Sequence, residues 1–509
     1  VVSITVYDGA ESIGGNKIYV EAGDRGVFLD FGMNFARRNA FFDEFLSERD
    51  GRGIHDLVKL GMIPKIDVYR RDLIPSDLDG LLPSFSRIRP EAVLLSHAHT
   101  DHCGNIGLLD PDIPIMASAT SVAILKALKD ISPSDITGDV AYLSLKKREG
   151  EGLLLKSDRK EAYRGRQFCC PDGCRPELSE FLSDRPGSEG RNAKAFDGCG
   201  VCEKISLPFE VKSYGVNHSI YGALAYVLRS DEGSVAYTGD FRIGDDAKGL
   251  PGFLADARNA SALIIEGTRA GLESDTEVTE ATVHDTCRAA VDDSRGLVIA
   301  DFSSKNFERL ETFKRIAEET GRQLVITARD AYALYAIGCA DGVCHTKGVL
   351  IYDEISDMSR RKYETETLAD KCPLEYASHR QIHDDPGRYI LCFSFLDMKH
   401  LLDISPEGGS YIYSSSEVFT EEQEIDFLKL KNWLDFFGIR PYGFRLIDEK
   451  LVFERGYHAS GHASQKELAH TIDKIDPDVL IPVHTTNGEW FTKKWERTRL
   501  VKNGETLRL

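Results

Sequence analysis

The chain has 509 residues, 42% hydrophobic and 28% charged, and at about 150 residues per domain it holds several compact bodies rather than one. No stretch approaches the ~18 consecutive apolar residues of a membrane span, which excludes a helical membrane protein. With 63 Lys+Arg against 82 Asp+Glu the net charge is −19, which excludes a uniformly basic nucleic-acid binder but leaves a local groove open.

The N-terminal run VVSITVYDGAESIGG is strand-like and lacks the basic start and small-residue cleavage site of a secretory signal. KIYVEA, GVFLDFG and EAVLLSH read as strands bounded by Gly, Pro or Asp. Residues 41–80 interrupt them with polar sequence, and SVAILKALKD (121–130) has apolar positions at helical spacing. Residues 145–205 change character, running from a charged stretch through CCPDGC to DGCGVC, and read as an insertion with little core of its own. Strand-like runs return over 206–268. From 270 to 450 strand, amphipathic helix and strand alternate (LVIADF, FERLETFKRIAEETG, QLVITA), as in a parallel α/β sheet. The last sixty residues repeat strand, helix, strand, ending with DVLIPVH and a piece in which Trp490, Phe491 and Trp495 lie among Lys and Arg. That piece reads either as a base-stacking surface or as a packed terminal helix.

The densest chemistry is SHAHTDHCG, where His97, His99, Asp101 and His102 follow an apolar run. Only 14 residues of the chain are His, so three within six positions is not a chance polar loop. Imidazoles and a carboxylate converging from one strand end suit Zn²⁺, with Mn²⁺ or Fe²⁺ as alternatives. Further on, CCPDGC and CGVC give the pairs Cys170-x3-Cys174 and Cys199-x2-Cys202, the spacing of a structural Zn²⁺ site. Eleven cysteines, an odd number, and no export signal point to a reducing cytoplasm and a soluble protein.

The His/Asp pattern resembles the metallo-β-lactamase superfamily. The other positions that this superfamily uses are matched by Asp30 in VFLDFG, His218 in YGVNHSIYG, Asp240 in AYTGDFR and His484 in VLIPVHTTNG, each closing a strand-like run. The resemblance implies one metal on His97, His99 and His218 and another on Asp101, His102 and His484. Asp240 would bridge them, and Asp30 would orient a ligand imidazole through a hydrogen bond. The long stretch between Asp240 and His484 resembles the β-CASP branch, which cuts nucleic acids. Glu266 in ALIIEGTRAG and His462 in YHASGHASQKEL match that branch's paired carboxylate and histidine. The closest likeness is to ribonuclease J, over 1–140, 206–340 and 450–490, while 345–450 match poorly and the Cys-rich stretch is not standard there.

By this likeness the fold is α/β, a metallo-β-lactamase αββα sandwich in three segments (1–144, 206–268 and 451–509). An α/β β-CASP domain is inserted at 269–450 and a Cys-rich insertion at 145–205. The implied activity is metal-dependent hydrolysis of RNA phosphodiester bonds, 5′→3′ and also internal, through a hydroxide activated by two Zn²⁺ or Mn²⁺. Asp101, His462 and Glu266 would be catalytic, with His462 protonating the leaving oxygen. HASGHAS lies just before a helix, where unpaired N–H groups and the dipole attract phosphate. It supplies Ser460, Gly461, Ala463 and Ser464 as RNA contacts. FSSKN and its surroundings add Ser303, Ser304, Asn306, Arg309 and Arg329. A DNA nuclease and a small-molecule metallo-hydrolase are the alternatives, and a homodimer is a possible state for the cytoplasmic enzyme.

Overall fold

The computed structural model describes all residues except 44, 133–135, 189–192, 245–247, 273–277, 356–360, 373, 416–420 and 448–449, and the side chains of 421–425. The architecture is α/β, as the alternation of strand and helix patterns implied. Among the described residues no helix is long and apolar enough to cross a membrane. The chain divides into two compact units. One comprises Val1–Glu273, Cys339–Gly342 and Gly461–Leu509, and the other Ser274–Gly338 and Val343–Ser460.

The first unit holds an eight-stranded and a five-stranded sheet. Alternation along each strand decides which core a side chain enters. In Leu224–Ser230, Tyr226 and Leu228 join Val2, Ile4, Val20 and Leu29 of the larger sheet, so the two sheets share a core. Ala225 and Val227, on the opposite face, meet Phe253, Leu468, Ile472 and Ile475 from the helices Leu250–Asp256 and Gln465–Ile475. The three- and four-residue spacing of Leu468, Ile472 and Ile475 forms the buried stripe of the second helix. Ser464 and Glu467 close its start as a capping box. Truncating a fully buried Leu such as Leu468 to Ala costs about 2–5 kcal/mol.

Strand direction is what builds the site. Gly233–Tyr237, Ala262–Glu266 and Val479–Val483 run parallel and adjacent, so their carboxyl ends, leading to Asp240, Glu266 and His484, emerge together. Arg25–Phe31 and Pro90–Leu94 are likewise parallel neighbours and deliver Asp30 and the His97–His102 turn.

Residues 145–205 contribute strands and buried side chains to the first unit. Gln167–Cys169 and Gly200–Val201 extend the eight-stranded sheet in parallel, and Phe168, Leu178 and Leu182 are fully buried. The hydrophobic signal was there, spaced too sparsely among charges to be read as core. At the C-terminus Trp490 and Phe491 are buried and Trp495 packs on the same core, so the packed-helix alternative holds and the stacking surface does not.

The second unit has a seven-stranded, all-parallel sheet, in the order Tyr376–Ser378, Val349–Asp353, Gln323–Ile326, Tyr389–Cys392, Leu297–Asp301, Gly409–Tyr413, Ile439–Tyr442. Its central strands are continuous apolar runs (LVIAD, YILC) because both faces are covered. The helix Phe307–Glu319 buries Phe307, Leu310, Phe313 and Ile316 and is capped by Asn306, whose side chain accepts from the Arg309 N–H.

Candidate metal centre

Nine side chains from the first unit converge: His97, His99, Asp101, His102, His218, Asp240, Glu266, His462 and His484. His97, His99 and His218 form one group of potential ligands, and Asp101, His102, Asp240 and His484 a second. Asp240, Glu266, His462 and His484 form a third, and within each group the ligand atoms lie within 4.8 Å of one another. Asp240 Oδ2 is the hub, 3.0 Å from His102 Nε2, 3.6 Å from His484 Nε2, 3.9 Å from His97 Nε2 and 4.0 Å from His218 Nε2. It thus touches both groups, the position of a bridging ligand.

The turn after Pro90–Leu94 is held by close backbone approach. A Cβ on Gly32 would come within 1.6 Å of the Asp101 carbonyl oxygen, and one on Gly14 within 2.8 Å of Asp101 Cβ. His484, one of the converging residues, sits in the left-handed region at φ 53°, and so does Asp30, which holds His102, at φ 58°. For non-glycine residues this costs about 1–3 kcal/mol each and persists only where surrounding contacts enforce it.

Those contacts are present. Asp30, fully buried, accepts from the Ser96 N–H and hydroxyl at 2.7 Å and the Tyr237 hydroxyl at 2.6 Å, and lies 2.7 Å from His102 Nδ1. The His102 ring is therefore fixed with Nε2 toward Asp240. His218 Nδ1 donates to the Gly461 carbonyl at 2.7 Å, which aims its Nε2 the same way. Thr268 Oγ1 lies 2.8 Å from His484 Nδ1 and 3.4 Å from the His484 carbonyl oxygen. The hydroxyl so placed turns Nε2 toward Asp101, 3.1 Å away, and can accept the Nδ1 proton when Nε2 serves as a metal ligand. Thr268→Val is expected to weaken metal binding by about 10–100-fold. Competition with a chromophoric chelator would measure it, and Thr268→Ser should retain the parent affinity.

Charge follows the packing. Burial, with His102, His218 and His99 alongside, holds His97 well below the ordinary imidazole range. Burial and His462 take His218 down to about 4. Both are neutral and have lone pairs to give. For His102, burial opposes the charge but Asp240, Asp101 and Asp30 outweigh it and hold the ring well above its usual value. The buried carboxyls of Asp240 and Asp101 stay ionised despite desolvation because His102 and His484 face them. Asp240 Oδ1 is buried without a hydrogen-bond partner, beside an Oδ2 that four imidazole Nε2 atoms face within 4.0 Å. That is the donor set and the unmet demand that a divalent cation satisfies. No metal is needed to explain His462: against burial, Glu266 and Asp240 raise it to about 9. Its Nδ1 is 3.3 Å from Glu266 Oε1. Glu266 also accepts the backbone N–H groups of Ala463 at 3.2 Å and Thr268 at 3.1 Å, which pins the pair to the helix start.

Several expected contacts have other employment. Arg309 is fully buried and bonds Glu280, Ser414 and the Tyr457 carbonyl, so it is not available to RNA. Asn306 and Ser464 spend their side chains on helix caps, and the Ala463 N–H is spent on Glu266. Gly461 gives its carbonyl to His218, and Ser460 falls in the second unit. By contrast, Ser303, Ser304 and Arg329 line a cavity of the second unit, where a ligand could reach them.

Cys170, Cys174, Cys199 and Cys202 do not form one tight ligand set, although burial foremost, with Cys174, Asp172, Cys169 and Cys202 nearby, raises the Cys170 thiol. Among the described residues no group of three metal-ligating atoms within 4.8 Å contains a cysteine. The Cys199 thiol is buried against the Ala141 carbonyl, 3.4 Å away. The parallel pairing of Phe168 with Val201 instead sets Cys202 beside Cys169, and the Cys202 N–H donates to the Phe168 carbonyl at 2.8 Å. Spacing alone could not reveal that register. Sequence reasoning also missed Ser96, Tyr237 and Thr268. Thr268 stands two residues past Glu266, which is the only signal it had, and Tyr237 looked like any strand aromatic.

No family model matches the chain. Over 321 residues it is 27% identical to "Ribonuclease J" of Sinorhizobium meliloti, covering 59% of this chain and 52% of that protein, so it spans about half of that relative's length. It is 22% identical over 498 residues to "Ribonuclease J" of Pyrococcus abyssi, covering 95% of this chain and 90% of that protein. It is 21% identical over 497 residues to "Ribonuclease J 1" of Streptococcus pyogenes, covering 94% and 71%. A solved structure, a protein of unknown function from Enterococcus faecalis V583, matches 100% of both chains with a TM-score of 0.65 at 21% identity, a likeness of fold alone. These relatives, at low identity, support a ribonuclease J-like family for the chain and with it a metallo-β-lactamase fold.

Proposed function

We propose that the chain is a metal-dependent ribonuclease that hydrolyses RNA phosphodiester bonds, working 5′→3′ and also internally. The observation that carries this reading is the position of Asp240 Oδ2, within 4.0 Å of four imidazole Nε2 atoms. Two Zn²⁺, or Mn²⁺, held by His97, His99 and His218 on one side and Asp101, His102 and His484 on the other, with Asp240 shared, would supply an activated nucleophile and neutralise charge on the phosphate. The chain's own residues do the rest. Asp30, Thr268 and the Gly461 carbonyl orient the rings of His102, His484 and His218, so that each turns Nε2 inward. His462, kept charged by Glu266 and Asp240, stands 3.8 Å from Asp240 Oδ2 and has a proton to give the leaving 3′-oxygen. Glu266 keeps that imidazole oriented through Oε1.

A DNA substrate is the second reading, because nothing in this set of ligands senses a 2′-hydroxyl. Matched 5′-phosphorylated RNA and DNA oligonucleotides, incubated with Zn²⁺ or Mn²⁺, separate the two. The expected result is RNA cleavage with mononucleotides released from the 5′ end and some internal fragments. Equal or faster cutting of DNA would overturn the ribonuclease assignment, and no cutting of either would overturn the nuclease.

A further inference from the structure

The second unit has a cavity of about 730 Å³ that the nuclease chemistry does not use. It opens at the carboxyl ends of the parallel strands, among Asp301, Thr327, Asp353, Cys392 and Tyr413. The chain runs across the sheet in one direction from Leu297–Asp301 and returns to the middle with Tyr389–Cys392. Such a reversal is where open α/β sheets bind ligands. We propose that this cavity binds an organic polycation of the polyamine type, ammonium groups spaced along a methylene chain.

The charge balance excludes phosphate. Among the described residues, seven carboxyl side chains line the cavity against three permanent cations, Arg329, Arg361 and Lys399. Three of the carboxyls, Asp301, Asp330 and Asp397, make no ion pair among the described residues. Asp301 accepts from the Tyr411 hydroxyl, Asp330 from Thr327 at 2.8 Å, and Asp397 from the Ser394 N–H at 2.9 Å. Left without a cation, burial and the charge of Asp397 push Asp301 up to about 7, and burial foremost takes Asp330 up to about 6. An ammonium group brought in from outside would restore both to the ionised form.

The spacing excludes a compact metal ion. Among the described residues no three ligand atoms of this cavity come within 4.8 Å of one another. Carboxyls set apart around a volume match charges set apart along a chain. The walls between them are aromatic, with Phe302, Tyr363, Tyr376, Phe395 and Tyr413 among them. These accept methylenes and present π faces to ammonium groups. Tyr352 also lines the cavity. It is 4% exposed, and its hydroxyl has no hydrogen-bond partner, an acceptor that an N–H donor would satisfy.

The probe is spermidine, titrated calorimetrically into the full chain at 150 mM NaCl. The expected result is one saturable site that Mg²⁺ at equal ionic strength does not fill. Asp301→Asn and Asp330→Asn should each weaken it about tenfold or more, as loss of one partner of a buried charge pair does. Tyr352→Phe, which removes one oxygen and leaves the packing, should weaken it less, with an unchanged circular dichroism spectrum. A heat that does not saturate, or that Mg²⁺ reproduces, marks non-specific attraction to an acidic protein and overturns the proposal. So does parent affinity in a folded Asp301→Asn, Asp330→Asn double variant, or saturable binding of nucleoside monophosphate in place of spermidine. None of these readings uses cleavage, so their failure leaves the nuclease assignment untouched.

Discussion

In His462→Ala, kcat on RNA is expected to fall by about 10²–10⁴-fold with KM little changed, the loss associated with removing a positioned proton donor. The variant should fold normally. His462 lies on a loop before the helix Gln465–Ile475, and that helix keeps its Ser464 cap and its buried stripe. The decisive control is the leaving group. A phosphodiester that departs as p-nitrophenolate needs no proton, so His462→Ala should cleave it nearly as fast as the parent. If both substrates slow equally, His462 shapes the site rather than acting as the acid. Glu266→Gln should reproduce part of the effect, since Glu266 is the first cause holding His462 in its charged form against burial.

Asp240→Ala should do more than slow the reaction. It removes the oxygen that both imidazole groups share. Metal affinity is expected to drop by well over the roughly 10–100-fold that losing an outer hydrogen-bond partner costs, and cleavage to fall to background. In the parent, removal of metal with a chelator should abolish cleavage, and Zn²⁺ or Mn²⁺ should restore it. In Asp240→Ala neither ion should restore it at matched concentration. Direct metal analysis of the purified variant keeps the test independent of activity. Full occupancy at the parent affinity would show that Asp240 is not a ligand.

The residues legible in the sequence were those that chain geometry places for free. His97, His99, Asp101 and His102 share one turn, so their convergence needs no tertiary knowledge. His218, Asp240 and His484 became legible only through the likeness to the metallo-β-lactamase superfamily, which implies such residues in that order at strand ends. The contacts that tune them were not legible, because each depends on which strands become neighbours. Tyr237 reaches Asp30 across 207 positions of sequence, and nothing in AYTGDFR distinguishes its tyrosine from a core residue. The same blindness produced the errors. Arg309 in FERLETF has the look of a surface cation, yet it is fully buried beside Glu280. Cys199 and Cys202 looked like one knuckle, but the chain between them is an edge strand whose pairing turns Cys199 toward Ala141 and Cys202 toward Phe168. Cysteine spacing predicts a shared ligand only where the intervening chain is a free turn.

The left-handed backbone at Asp30 and His484 is strain that their own side-chain contacts hold in place. Glycine would occupy either conformation without the steric cost that a side chain meets there. At Asp30 it would also leave the Ser96 N–H and hydroxyl and the Tyr237 hydroxyl buried without their acceptor, at about 1–3 kcal/mol for each. A library selected only for heat resistance should therefore keep Asp30, although its backbone conformation is the one that glycine favours.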